Sequence, residues 1–301
     1  MKIVFFGTPD FAVPSLDILN KSEHKVVGVV TAPDKERGRG RKVSYTPIKE
    51  YALKNNLKCL QPEKMKDESF IESLKDFDAD LFVIVAFRIL PRSVFTIPKH
   101  GSFNLHGSLL PKYRGAAPIH WAIMNGDKKT GVTTFFLEDK VDTGNIISQS
   151  EMEIEDDDNL GTVHDKMSLL GADLVLETVN KIETGNVELQ KQNNELASPA
   201  PKISKELGEI DWNKSAEEIH NLVRGLSPFP SAYFIYNEKK YKIFKSRITD
   251  DRLLKPGELK ETKNELFVGT SEYAIQILEL QAEGRKRMEV DAFLRGYTFK
   301  K

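Results

Sequence analysis

Leu81 to Ala86 is an unbroken run of six apolar residues, three of them β-branched, and it narrows the choice of fold more than any other stretch. It is far too short to cross a membrane as a helix, and it does not alternate as a half-exposed strand would. A strand buried on both faces reads this way, and such strands belong to parallel sheets covered by helices. Ile3 to Phe6 and Val26 to Val30 repeat the pattern. Helical intervals are expected from about Ala12 to Lys21, over 46–55 and over 67–76. Further strands are expected at Phe103 to His106, Thr130 to Leu137 and Asn145 to Met152, followed by a helix over 159–183 that stops at Gly185. The sum is a doubly wound α/β domain, in which ligands bind beyond the strand C-termini. Gly7 follows the first strand without the two further glycines of a dinucleotide fingerprint, so a nicotinamide cofactor is not expected.

From about Gln190 to Pro201 the chain turns polar, and Pro199 and Pro201 close the stretch. This reads as a linker, giving a first domain over 1–189, a connection over 190–205 and a second domain over 206–301. Ser215 and Glu218 have capping-box spacing at the head of a helix that reaches Leu226. Pro228 and Pro230 follow it. Short strands at Ala232 to Tyr236, Lys240 to Arg247, Glu265 to Gly269 and Ala274 to Gln281 fit a small barrel or an open sheet.

Forty per cent apolar and thirty per cent charged residues describe a globular chain, neither disordered nor membrane-spanning. A single cysteine, Cys59, excludes an internal disulfide and fits a reducing, cytoplasmic setting. The six histidines show no metal-ligand spacing, so no metal is expected. Net charge is −1, yet the cations cluster: Lys35 to Lys42 carries five basic residues against Glu36, and Lys239 to Arg247 five against none. Arg285 to Lys301 adds six against Glu289 and Asp291. A field focused on one side would suit a nucleic acid, though charge runs are more often solvated faces. No dimer-forming pattern stands out, so a monomer is expected.

Asn104 and His106 are two residues apart on a strand, so both side chains leave the same face near its end. An amide donor and an imidazole then share one space. Asp142, in the Val141-Asp142-Thr143-Gly144 turn, could supply a carboxylate for proton traffic. Together the three types suit acyl-type transfer, although each alone is commonly a turn or surface residue.

Longer matches accompany them. Residues 102–118, SFNLHGSLLPKYRGAAP, and 138–147, EDKVDTGNII, resemble the signature of the folate-dependent formyltransferase family. Phe6 to Ala12, Thr31 to Lys42, Lys202 to Lys205, Ile210 to Trp212, Arg224 to Tyr233 and Gln281 to Met288 narrow the resemblance to the branch acting on charged initiator tRNA, over nearly the whole chain. The resemblance implies a Rossmann-like catalytic domain followed by an OB-like tRNA-binding barrel. It implies 10-formyltetrahydrofolate as donor, without a metal, and the α-amine of methionine on initiator tRNA as acceptor, giving the formylated initiator of translation. By the same resemblance Asn104 and a His106 N–H face the oxyanion, while Asp142 orients His106 and helps move a proton.

The folate would lie against Phe87, Arg88, Ile89 and Leu90 and against Ser108, Leu109, Leu110 and Pro111. The family usually carries Tyr-Gly where this chain has Phe87-Arg88, which here is similar to glycinamide ribonucleotide formyltransferases. Arg88 is therefore a candidate for the folate's glutamate tail, with an exposed structural arginine as the other reading. Contacts to tRNA are implied for Arg37, Arg39, Arg41 and Lys42, with Arg39 matching the family's key arginine, and for Lys202, Arg285 and Lys286. Rival readings are a formyltransferase for a small amine (glycinamide ribonucleotide or an amino-sugar nucleotide), a formyltetrahydrofolate hydrolase, and a tRNA-binding protein without catalysis.

Overall fold

The computed structural model describes residues 1–37 and 42–299. Strands are β1 (Lys2–Gly7), β2 (Lys25–Val30), β3 (Lys35–Arg37), β4 (Lys42–Ser44), β5 (Cys59–Leu60), β6 (Leu81–Val85), β7 (Ser102–His106), β8 (Arg114–Gly115), β9 (Lys129–Phe136) and β10 (Ile146–Glu153). They continue with β11 (Pro199–Ala200), β12 (Ala232–Tyr236), β13 (Lys239–Thr249), β14 (Leu259–Glu261), β15 (Leu266–Gly269), β16 (Ala274–Ala282) and β17 (Met288–Glu289). Helices are α1 (Val13–Lys21), α2 (Pro47–Lys54), α3 (Glu68–Lys75), α4 (Arg92–Phe95), α5 (Pro118–Met124), α6 (Leu160–Thr184), α7 (Ala216–Leu226) and α8 (Val290–Leu294). No described helix is long and apolar enough to cross a membrane.

Packing divides the chain into two units, each drawn from three stretches of sequence. Unit 1 takes Met1–Gly115, Gly131–Met152 and His164–Pro199; unit 2 takes Ala116–Thr130, Glu153–Val163 and Ala200–Lys301.

Unit 1 is built on a seven-stranded sheet in the order β10-β9-β7-β6-β1-β2-β5. The strands from β5 through β7 run parallel, and β9 is antiparallel to β7. The apolar runs form its centre: Ile3 to Phe6 and Leu81 to Val83 are wholly buried. One cluster joins Val4, Phe6, Phe82 and Ile84 to Phe70, Leu74 and Phe77 of the α3 region. The chain lays β2 and β5 on one side of β1, then returns to lay β6 and β7 on the other. The order therefore reverses between β1 and β6, the place where open α/β sheets form a ligand crevice. Gly7 pairs with Val85 there. A Cβ on Gly7 would stand 2.9 Å from the Ala12 Cβ and 3.2 Å from the Val85 carbonyl oxygen, so the close strand-to-helix turn needs a glycine.

Unit 2 is built on an antiparallel, curled sheet in the order β12-β13-β16-β15-β14, with β17 added against β16. Its core joins Ile219, Val223 and Leu226 of α7 to Phe234, Ile243, Leu266, Ile275, Ile277 and Phe293. The capping box at Ser215 is formed from both sides, and α5 packs against α7. Pro118 at the head of α5 is the signal by which that short helix could have been found in the sequence.

Candidate active site

The chemistry-bearing residues of unit 1 gather after β7. Asn104 pairs with Ile84 on one side and Phe135 on the other, so its backbone is fixed in mid-sheet. Strand alternation turns Asn104 and His106 to the same face. Asn104 is half-buried, and its carboxamide takes no hydrogen-bond partner among the described residues. Its N–H groups are thus available for an outside acceptor.

His106 is buried, and its bonding fixes its tautomer. Nε2 lies 2.8 Å from the Tyr113 carbonyl oxygen. A carbonyl only accepts, so Nε2 carries the hydrogen and donates it. Nδ1, the other ring nitrogen, faces Asp142 with 3.9 Å to Oδ2. The two face each other across a gap too wide for a direct hydrogen bond. The sequence suggests a His106 N–H for the oxyanion; the Nε2 hydrogen is committed to the Tyr113 carbonyl, and Nδ1 is the ring nitrogen that faces Asp142.

Asp142 adopts a left-handed backbone, φ 55°, which aspartate tolerates better than most residues. Its Oδ2 accepts the Gly115 N–H at 2.9 Å. The turn closes on Gly144, where a Cβ would stand 1.7 Å from the Phe136 carbonyl oxygen. Only glycine fits. Sequence reasoning did not single out Arg114 or Gln192, although both bind here: the Gln192 amide donates to the Asp142 and Gly144 carbonyls, and its oxygen accepts from Arg114. Nothing in the local pattern of Gln190 to Pro201 signals this, because the partners lie fifty and seventy-eight positions away.

The loop that leaves β7 is pinned from beneath. The Thr133 hydroxyl donates to Ser108 O at 2.6 Å and accepts the Leu110 N–H at 3.0 Å. Gln149 Nε2 donates to Leu110 O at 2.9 Å, and Ser108 Oγ donates to Lys112 O at 2.6 Å. Leu110 is buried against Phe135 and Ile146, while Leu109 and Pro111 are half-buried. At the switch point Phe87 stacks edge-on against Phe6 with ring centroids 5.7 Å apart, and Leu90 enters the core. Ile89, on the segment that follows β6, stands 74% exposed. Arg88 donates through its guanidinium to the carbonyls of Pro62 and Glu63, and burial holds its pKa below the usual arginine value.

Of the residues read for tRNA, Arg39 and Arg41 lie outside the described residues. Arg37 and Lys42 are opposite one another in the β3–β4 ladder. Its base is fastened by Asp34, which accepts from Lys49 and, at 2.8 Å, from Gln61. The Gln61 bond first, then the one from Lys49, keeps the Asp34 carboxyl below its ordinary pKa. In unit 2, Lys202, Arg285 and Lys286 are exposed, with the Arg285 guanidinium 5.4 Å from the Tyr297 ring centroid. Neighbouring Arg287 is already paired to Glu279.

Comparison with known proteins gives a consistent result. Residues 1–179 match the family model described as formyl transferase, and residues 202–298 the model described as formyl transferase, C-terminal domain. A methionyl-tRNA formyltransferase of Flavobacterium johnsoniae is 48% identical over 99% of this chain and 97% of its own length. One from Caldanaerobacter subterraneus subsp. tengcongensis is 46% identical over 99% of this chain and 97% of its own. Among solved structures, an N-formyltransferase from Helicobacter canadensis, in complex with folinic acid and dTDP-3-aminofucose, superposes with a TM-score of 0.69 at 25% identity, covering 92% of this chain and 98% of that one. The sugar 3N-formyl transferase WlaRD shares the fold, with a TM-score of 0.70 at 23% identity over 95% of this chain and 99% of that one. With both family models matched and near-half identity held from end to end, the chain belongs to the formyl transferase family, in the group of the methionyl-tRNA formyltransferases.

Proposed function

We propose that this enzyme moves the formyl group of 10-formyltetrahydrofolate to the α-amine of methionine on initiator methionyl-tRNA, working as a cytoplasmic monomer. The observation that carries the catalytic assignment is the arrangement at the end of β7: an Asn104 amide without a partner among the described residues, on the same strand face as His106, whose Nδ1 faces Asp142 across 3.9 Å. The amine attacks the formyl carbon, forming a C–N bond and pushing the carbonyl electron pair onto oxygen. Asn104 Nδ2–H donates to that oxyanion. The attacking nitrogen must lose a proton, and His106 Nδ1 with the Asp142 carboxylate is the acceptor pair on hand. When the tetrahedral adduct collapses, the bond to N10 breaks and that nitrogen takes up a proton, so tetrahydrofolate leaves neutral at N10. No enzyme nucleophile enters, because an amine is nucleophilic once deprotonated.

The folate is assigned to the crevice between β1 and β6, bounded by Phe87, Arg88, Ile89, Leu90 and Ser108 to Pro111, where exposed Ile89 offers the pterin an apolar flank. The tRNA is assigned to the basic segment from Arg37 to Lys42 and to the exposed Lys202, Arg285 and Lys286, cations of the kind that suit phosphates. The test is formyl transfer from 10-formyltetrahydrofolate to charged initiator tRNA, with uncharged tRNA and glycinamide ribonucleotide in parallel. Transfer confined to charged tRNA is expected; transfer to the small amine alone would overturn the assignment.

A further inference from the structure

Gln192 is 94% buried, since only 6% of its surface is exposed, and it makes four hydrogen bonds. Its Oε1 accepts from Arg114 Nε at 3.0 Å and Nη2 at 2.6 Å. Its Nε2 donates to Asp142 O at 3.0 Å and Gly144 O at 2.8 Å. Arginine only donates and carbonyls only accept, so no other orientation of the amide serves both sides. The backbone around it is laid in place by a reciprocal pair between Gln190 and Ile146, 2.8 and 2.9 Å long.

The bonds close a ring. Tyr113 O holds His106 Nε2–H, and Gly115 N–H holds the Asp142 carboxylate. Arg114, between them, is the residue that Gln192 grips, and Gln192 also grips the backbone of Asp142. A second hold comes from Ser198, whose Oγ accepts the Tyr113 N–H at 2.9 Å and whose carbonyl accepts the Arg114 N–H at 2.8 Å. One short loop thus carries a restraint on each proton-handling group, and one amide ties that loop to the Asp142 turn.

We propose that Gln192 is the positioning residue that sets Asp142 against His106, gripping Arg114 with its amide oxygen and the Asp142–Gly144 turn with its amide nitrogen. The inference rests on the proposed roles of Asp142 and His106. It requires an amide: a glutamate at 192 would still accept from Arg114 but would turn an anion onto two carbonyl oxygens. Misplacing a proton acceptor by a fraction of an ångström lowers turnover and leaves substrate affinity alone.

The test is a double-mutant cycle on the full-length enzyme, with formyl transfer to charged initiator tRNA as readout. Gln192→Glu is expected to lower kcat about 10- to 100-fold, with KM for both substrates within about twofold of the parent. Arg114→Lys, which keeps the charge but loses the paired donors, is expected to fall in the same direction and guards against a misfolded Gln192→Glu. In an Asp142→Asn background, Gln192→Glu should cost little more, because the residue it positions is already gone. Parent-like kcat in both Gln192→Glu and Arg114→Lys, or losses that simply multiply with Asp142→Asn, would overturn the positioning role while the catalytic reading stands. An Asp142→Asn enzyme as fast as the parent would overturn both.

Discussion

The two units solve different problems with different materials. In unit 1 the apolar strands form a rigid floor that carries Asn104 and His106 on β7, and polar bonds hold the groups around them: Thr133 with Leu110, Gln192 with Asp142, Tyr113 with His106. Unit 2 spends its aromatic residues on packing. Phe234 stacks on Tyr241 at 5.3 Å, Phe293 stacks on Tyr297 at 4.7 Å, and Phe299 leans on Tyr241 at 5.1 Å. The difference teaches where damage shows. A polar change in unit 1 strikes the reaction before the fold, whereas an apolar deletion in unit 2 strikes the fold first.

The strongest way to sharpen this contrast is Phe234→Ala, which empties the centre of the aromatic cluster. It is expected to destabilise by about 3–5 kcal/mol, read as a lowered urea midpoint. A loss near zero would show that the cluster is not the keystone of unit 2. Next comes Asn104→Asp, which replaces a donor with an anion facing an oxyanion. A kcat lower by about 10²- to 10³-fold, with a melting temperature close to the parent's, is expected. Equal turnover in mutant and parent would remove Asn104 from the reaction.

A smaller effect separates the units by pH. Burial, and then the Arg224 charge beside it, lowers the His220 pKa to about 4; the nearby Asp156 acts the other way, and Lys128 adds to the lowering. Unfolded, the ring titrates near 6.5, so between about 6.5 and 4 the unfolded chain binds a proton that the folded one refuses. Stability is therefore full above pH 6.5 and falls as the medium is acidified to pH 4, by about 3 kcal/mol at most. His220→Gln should flatten that slope in urea melts taken at pH 7 and pH 5; an unchanged slope would assign the acid sensitivity elsewhere. Least of all, Ser215→Ala removes the α7 cap and is expected to cost about 1 kcal/mol, again by urea midpoint. A cost below the error of that measurement would mean that packing alone holds the helix end.

Much of the sheet is visible in the sequence because buried parallel strands write themselves as apolar runs: Ile3 to Phe6 and Leu81 to Ala86 need no tertiary information. The Asn104–His106 pair is visible for a similar reason, since alternation along a strand fixes relative direction. Gln192 is invisible because its value depends on partners brought near by folding, and its neighbours read only as a polar connector. The tautomer of His106 is hidden too, being decided by a carbonyl seven residues on, in a loop whose course no periodicity predicts. The membership of α5 and residues 153–163 in unit 2 is settled by similar contacts. Gln192's counterpart there is Arg224, whose buried guanidinium donates to the Glu155 and Asp158 carbonyls, each at 3.0 Å.

That interleaving bears on how such a protein can change over generations. Each unit is assembled from three stretches that alternate along the chain, so the polypeptide leaves and re-enters each of them repeatedly. No single crossover in a gene could deliver unit 2 whole to another enzyme, because Ala116–Thr130 and Glu153–Val163 would stay behind with the donor's first half. A recombinant joined near residue 200 would inherit the curled sheet without α5, the helix that packs on α7. Exchange between relatives is expected to succeed only where the partner supplies a matching α5 and a matching Glu153–Val163 segment, which ties the inheritance of the two halves together.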